Sequence, residues 1–162
     1  MSVLNVQRRR LLRGGSLAQP VRPPWAREGF TDLCTRCQRC VAACPERIIV
    51  RGDAGFPALD FNRGECTFCG ACADACPEPV FDREQSAPWR ARAVIAETCL
   101  TARGVVCRSC RDACPAEAVS FDFAPGHVAR ARIEAERCTG CGACVAPCPA
   151  SAIRIEAEGG VA

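Results

Sequence analysis

Short apolar runs recur along this chain, each bounded by Pro, Gly or charged residues. Ile48-Ile49-Val50, Val80-Phe81, Ala118-Val119-Ser120-Phe121 and Ala152-Ile153-Arg154-Ile155 each follow a Cys-Pro pair within a few residues. Between them stand Ala58-Leu59-Asp60-Phe61, Ala93-Val94-Ile95 and Ala131-Arg132-Ile133. Runs this short, rich in β-branched residues, predict small strands that pair across turns. Asp53, Gly55 and Pro57 mark one turn, and Pro125 with Gly126 marks another. Short helical turns are expected around Cys40 to Cys44 and Cys72 to Cys76, which would complete βαβ-like halves. No run approaches the roughly 18–20 uncharged apolar residues of a membrane-spanning helix.

Composition makes these strands the lesser part of the picture. Of 162 residues, 16 are cysteine and only 6% are aromatic, so the apolar core is thin for the length. Something besides apolar burial must hold the chain together. Eight disulfides in a secreted scaffold are one possibility. Gln7-Arg8-Arg9-Arg10-Leu11-Leu12-Arg13 looks like the start of a twin-arginine export signal, but Gly14-Gly15-Ser16-Leu17-Ala18-Gln19-Pro20 supplies no apolar segment after it. An exported, cleaved protein is therefore not expected.

The cysteines set the register of an internal repeat. Cys34, Cys37, Cys40 and Cys44 read C-x2-C-x2-C-x3-C before Pro45; Cys66, Cys69, Cys72 and Cys76 repeat it before Pro77, and Cys138, Cys141, Cys144 and Cys148 before Pro149. Cys99, Cys107, Cys110 and Cys114, before Pro115, keep the later spacings, but seven residues separate the first pair, with Gly104 where the regular first cysteine would stand. Three cysteines three residues apart wrap iron corners of one [4Fe-4S] cubane, and the cysteine before Pro belongs to the neighbouring cluster. Crossed in this way, Cys34, Cys37, Cys40 and Cys76 form one ligand set, and Cys66, Cys69, Cys72 and Cys44 its neighbour. Cys99, Cys107, Cys110 and Cys148 form a third set, and Cys138, Cys141, Cys144 and Cys114 a fourth. Four clusters are expected, or three if the site with the enlarged Leu100 to Val106 loop stays empty. Structural zinc needs two C-x2-C pairs per site, a poorer match to four crowded quartets. Covalent haem needs C-x-x-C-H, and the single histidine, His127, follows no cysteine.

The fold class expected is α+β, as tandem bacterial-ferredoxin-like modules with short strands and helical turns organised around their clusters. The chain divides into an arm at residues 1–28, a module at 29–84, a linker at 85–89 and a module at 90–162. Trp25 and Trp89 read as packing anchors, because an indole buries a large area wherever it is placed. Pro20, Pro23 and Pro24 keep the arm extended.

Charge separates arm from body. All 21 basic residues are Arg, against 18 acidic, for a net charge of +3. Residues 1–30 hold six arginines and one glutamate, +5, which leaves −2 for the remainder. Four oxidised clusters with their thiolates add roughly −8, giving an acidic body with one basic arm. Nucleic acid is not an expected partner. The arm reads either as a solvated tail or as a contact surface for a partner protein. Within the quartets, Gly70-Ala71 and Gly142-Ala143 are small, whereas Gln38-Arg39 and Arg108-Ser109 are bulky. Arg36, Arg39, Arg108 and Arg111 either favour a reduced cluster or keep a thin fold soluble. No phosphate loop, usable histidine or spare cysteine suggests an enzyme.

Arg8-Arg9-Arg10 with Leu11 to Gly14, Arg22-Pro23-Pro24-Trp25, Leu33-Cys34-Thr35-Arg36-Cys37 and Gly55-Phe56-Pro57 before Glu65-Cys66-Thr67-Phe68-Cys69 carry a resemblance, extended by Cys99-Leu100 with Val106-Cys107-Arg108-Ser109-Cys110 and by Cys138-Thr139-Gly140-Cys141-Gly142-Ala143-Cys144. The chain resembles the NapF family, ferredoxin-type accessory proteins of the periplasmic nitrate reductase system. The resemblance implies a cytoplasmic iron–sulfur protein that contacts the molybdenum-containing catalytic subunit before its twin-arginine export and helps it mature. A general soluble polyferredoxin electron carrier is the other reading of the same cysteines. A stable subunit of an enzyme complex would need a broad apolar docking face, which the sequence pattern does not display.

Overall fold

The computed structural model describes residues 21–123 and 125–157. Each regular element is short, as the broken apolar pattern demands. Helices α1 (Phe30–Leu33), α2 (Arg39–Ala43), α3 (Ala71–Asp74) and α4 (Ser109–Asp112) are single turns, three of them carrying the third cysteine of a quartet. The last quartet is wound in turns without a helix. Strands β1 (Ile49–Arg51) and β2 (Pro57–Leu59) pair antiparallel around a 3-10 turn at Asp53–Gly55. In the second half, β4 (Val119–Asp122) pairs antiparallel with β5 (Arg130–Ile133), and β3 (Ala91–Ile95) with β6 (Ile153–Ala157). The two halves share this plan of an inner hairpin and an outer pair. In the first half the outer pair shrinks to one bridge, Ala26 with Phe81, where Val80-Phe81 suggested a strand.

The described end of the basic arm belongs to the folded body. Val21, Pro23, Pro24 and Trp25 are buried, and Arg27 N–H donates to Val80 O at 2.9 Å. Arg22 lies over the Phe30 and Phe56 rings, 5.4 and 5.7 Å from their centroids. Residues 1–20, which hold the triple arginine, lie outside the described residues.

Two buried clusters form the core, one around Cys40, Ile48, Ile49, Phe61 and Cys72, the other around Ala93, Cys110, Val119, Cys144 and Ile153. Val145 and Ile155 pack against both, so the halves share one interior. The segment read as a linker fastens them. Trp89 meets the Phe61 and Phe68 rings edge to face at 6.2 and 5.3 Å, and its indole N–H donates to Thr139 O at 2.8 Å. Cys66 N–H donates to Cys141 O at 2.8 Å. Gly142 faces Phe61 so closely that a Cβ there would overlap the ring.

That last contact makes a measurable coupling. Phe61→Ala is expected to cost about 3 kcal/mol through the cavity it leaves. Gly142→Ala lowers the melting temperature of the anaerobic protein in the parent background, through the overlap and through its φ of 86°. In the Phe61→Ala background only the backbone strain, about 1–2 kcal/mol, remains. Strictly additive losses in thermal denaturation of the double variant would show that the two residues do not touch.

Candidate metal centres

Each regular quartet bends its backbone in the same way. The residue before the second cysteine and the residue after it are both left-handed: Arg36 and Gln38 (φ 61° and 65°), Phe68 and Gly70 (54° and 81°), Gly140 and Gly142 (71° and 86°). This double reversal turns three cysteines inward around one point. Glycine takes the conformation freely, whereas a side chain is strained there and needs a compensating contact. Gln38 donates its side-chain amide to Gly55 O at 2.7 Å, Arg36 lies 5.3 Å over the Phe56 ring, and Phe68 packs on Trp89. The third quartet departs from this geometry, with Arg108 at φ −135° and a 3-10 turn, Thr101–Arg103, inside its enlarged loop.

A second device orients the cysteines before Pro115 and Pro149. Glu117 and Ser151 are left-handed (φ 48° and 45°), which swings the next N–H back towards the thiol. Ala118 N–H thereby donates to Cys114 Sγ, and Ala152 N–H to Cys148 Sγ, both at 3.3 Å. In an occupied site such donors temper the charge on the ligating sulfur.

These bends gather the sixteen thiols into four groups. Cys44, Cys66, Cys69 and Cys72 line one cavity; Cys114, Cys138, Cys141 and Cys144 a second; Cys99, Cys107, Cys110 and Cys148 a third. The Cys40 thiol is pushed up to about 11 by burial first, then by the neighbouring thiols of Cys34, Cys76 and Cys37, which places those four together. The three cavities are about 20 Å³ each, so the enlarged loop leaves its site the size of the others. The sites follow one another in space. Cys40 and Cys72 share one buried cluster, Cys66 N–H reaches Cys141 O, and Cys110 and Cys144 share the other cluster. The spatial order is therefore first, second, fourth, third.

The donor set suits an iron–sulfur cubane. Each group offers four thiols, one for each iron corner, and no charged side chain lines the cavities of the third and fourth sites. Among the described residues no three His, Cys, Asp or Glu side chains gather tightly enough to hold a single metal ion, the arrangement that mononuclear zinc requires. Two hydroxyls stand beside the third site, and no motif in the sequence marks them. Thr101 is 5% exposed, and its Oγ1 lies 3.3 Å from Cys99 Sγ while accepting from Ala131 N–H at 3.1 Å. Ser109 Oγ lies 3.7 Å from Cys107 Sγ. Arg108 and Arg111 face a separate groove beyond that site.

Two matches to the 4Fe-4S dicluster domain cover residues 33–81 and 105–152. The ferredoxin-type protein NapF of Haemophilus influenzae is 43% identical, over 96% of this chain and 96% of its own length. This chain belongs to the NapF family of ferredoxin-type iron–sulfur proteins. NapF of Escherichia coli K12 is 38% identical over 94% of the chain and 96% of its own length. One subunit of an ion-translocating oxidoreductase complex from Methanosarcina acetivorans is 36% identical over 80% of the chain, which spans 49% of that protein.

In this NapF-family chain, burial also sets how metal is taken up. Burial first, then neighbouring thiols, raises Cys66 to about 11 and Cys72 and Cys144 to about 12. At neutral pH these groups are thiols, so a metal must displace their protons. Ferrous iron binding to the reduced, metal-free chain, followed by chelator competition, is expected to strengthen about tenfold per pH unit for each such thiol between roughly pH 7 and pH 9. An affinity flat across that range would mean that the thiolates are already formed.

Proposed function

We propose that this protein holds four [4Fe-4S] clusters and acts in the cytoplasm as an accessory protein to the molybdenum-containing catalytic subunit of periplasmic nitrate reductase, before that subunit is exported. The proposed ligand sets are Cys34, Cys37, Cys40 and Cys76; Cys66, Cys69, Cys72 and Cys44; Cys99, Cys107, Cys110 and Cys148; and Cys138, Cys141, Cys144 and Cys114. The observation that carries the reading is the unbroken row of four thiol groups in a chain that matches NapF from end to end. A cluster held at each group supplies reversible one-electron storage. The protein's own part is to exclude water with Ile48, Phe61, Val119 and Ile153, and to present N–H donors to its sulfurs. With every cysteine committed to a cluster, the chain serves as a carrier or binding module, not an enzyme.

The domain reading consistent with this is two dicluster modules joined across Trp89, with the basic residues before Val21 available to the catalytic subunit. A general soluble electron carrier is the second reading. The likeness to a subunit of an ion-translocating oxidoreductase complex, over 80% of this chain, favours it.

One experiment tests the clusters and a second separates these readings. Iron and acid-labile sulfide on anaerobically purified protein should reach about sixteen per chain and fall by about four in Cys99→Ala; about twelve in both would leave the third site empty. Removing residues 1–20 should abolish co-purification of the catalytic subunit while iron content stays unchanged. Undiminished co-purification, with electron transfer intact, would favour the general carrier.

A further inference from the structure

Four large apolar side chains stand exposed among the described residues: Leu33, Val105, Val106 and Phe123. Three of them lie at one place. Val106 and Phe123, 77% and 85% exposed, line a groove of about 580 Å³, and Val105 stands beside Val106. Phe121 and Val128 extend the apolar lining. The sequence pattern displays no such face because three separate segments build it: the enlarged loop, the β4 strand end and the approach to β5. A space of this size is in the range that holds a specific ligand or a peptide side-chain cluster.

The charged groups of the lining agree in sign. Apart from the Cys107 thiol, its ionisable side chains are Arg108, Arg111 and His127, with no carboxylate. Neither arginine has an acidic partner among the described residues, and nearby Asp122 is turned to Arg132 at 3.9 Å. An exposed apolar patch is costly to leave in water, and with unneutralised guanidinium groups beside it has the chemistry of a docking site. Cys107 lines both this groove and the third thiol cavity, so an occupant sits one side chain from that site.

We propose that this groove docks a peptide segment of another protein in which acidic residues alternate with aliphatic or aromatic ones. Charge complementarity selects this occupant. The arginines of residues 1–20 would be repelled by Arg108 and Arg111. A second copy related by two-fold symmetry would set those arginines against their own counterparts. The proposal goes beyond the accessory function, because it names a surface and a chemistry whatever protein carries the segment.

Selection of a displayed library of random peptides on the immobilised, cluster-loaded full chain tests it. Recovered peptides are expected to be enriched in Asp and Glu next to Leu, Phe or Trp, and to bind about tenfold more weakly to Arg108→Glu, Arg111→Glu and Phe123→Ser. Arg47→Glu, an exposed change in the other half, should bind them like the parent. All these side chains are surface groups, and unchanged iron content of each variant reports an intact fold. Recovery of no peptides, of peptides without acidic bias, or of peptides indifferent to the three groove variants would overturn the proposal. So would parent self-association in sedimentation that Phe123→Ser abolishes, since the groove would then join two copies. Co-purification of the catalytic subunit is not read here, so the accessory function can fail while this proposal stands, and the reverse.

Discussion

The last cysteine of each quartet lies across the neighbouring quartet's cavity, and the fold is arranged to keep it there. Cys44 stands with Cys66, Cys69 and Cys72, and Cys114 stands with Cys138, Cys141 and Cys144. Neither partner loop is complete without the other. The inner hairpins, β1 with β2 and β4 with β5, follow from this crossing, because each brings the chain back from one quartet to the start of the next. Their short strands could not hold such a chain alone, since two-stranded pairs are marginal in water. In the metal-free fold the crossing also gathers thiols where burial and mutual proximity keep them protonated, a condition that thiolate ligation to metal reverses.

The crossing explains why backbone strain collects where it does. To bring three cysteines onto one point within seven residues, the chain reverses its handedness twice, and it does so whether or not glycine is available. Where glycine is present the reversal is free. Arg36, Gln38 and Phe68 accept it and are held by Phe56, Gly55 and Trp89 respectively. Arg36, read from the sequence as either tuning a cluster or keeping the fold soluble, is thus occupied with supporting its own backbone. The third quartet takes another route, lengthening its loop and seating Thr101 beneath it.

Much of this was legible because the encoding is local. Cysteine spacing predicts the crossed groups, Cys-Pro predicts where β1, β4 and β6 begin, and Asp53, Gly55 and Pro57 predict the turn between β1 and β2. Features that join distant segments were not legible. The fit of Phe61 against Gly142 needs two surfaces from opposite halves of the chain, and no periodicity marks either one. Trp25 and Trp89 were readable as anchors from the size of an indole, but what they anchor was not. Residues 21–27 read as arm from their charge and prolines, yet they pack on the body, because Pro23, Pro24 and Trp25 bury more than Arg22 and Arg27 keep solvated.

The order of the four sites accounts for a pattern that the sequence displays without explaining. Each half contains one quartet with a glycine-alanine loop and one with a bulky loop. The glycine-containing quartets, the second and the fourth, are the inner pair, where Cys66 meets Cys141 and a side chain at Gly142 would collide with Phe61. The bulky quartets are the two ends of the row, where Arg39, Arg108 and Arg111 have solvent to extend into. Loop chemistry therefore follows position in the row: at Gly142 the interior leaves room for backbone alone, whereas Arg39, Arg108 and Arg111 of the end quartets are exposed. The groove beside Cys107, at one such end, is where the fold uses that freedom most fully.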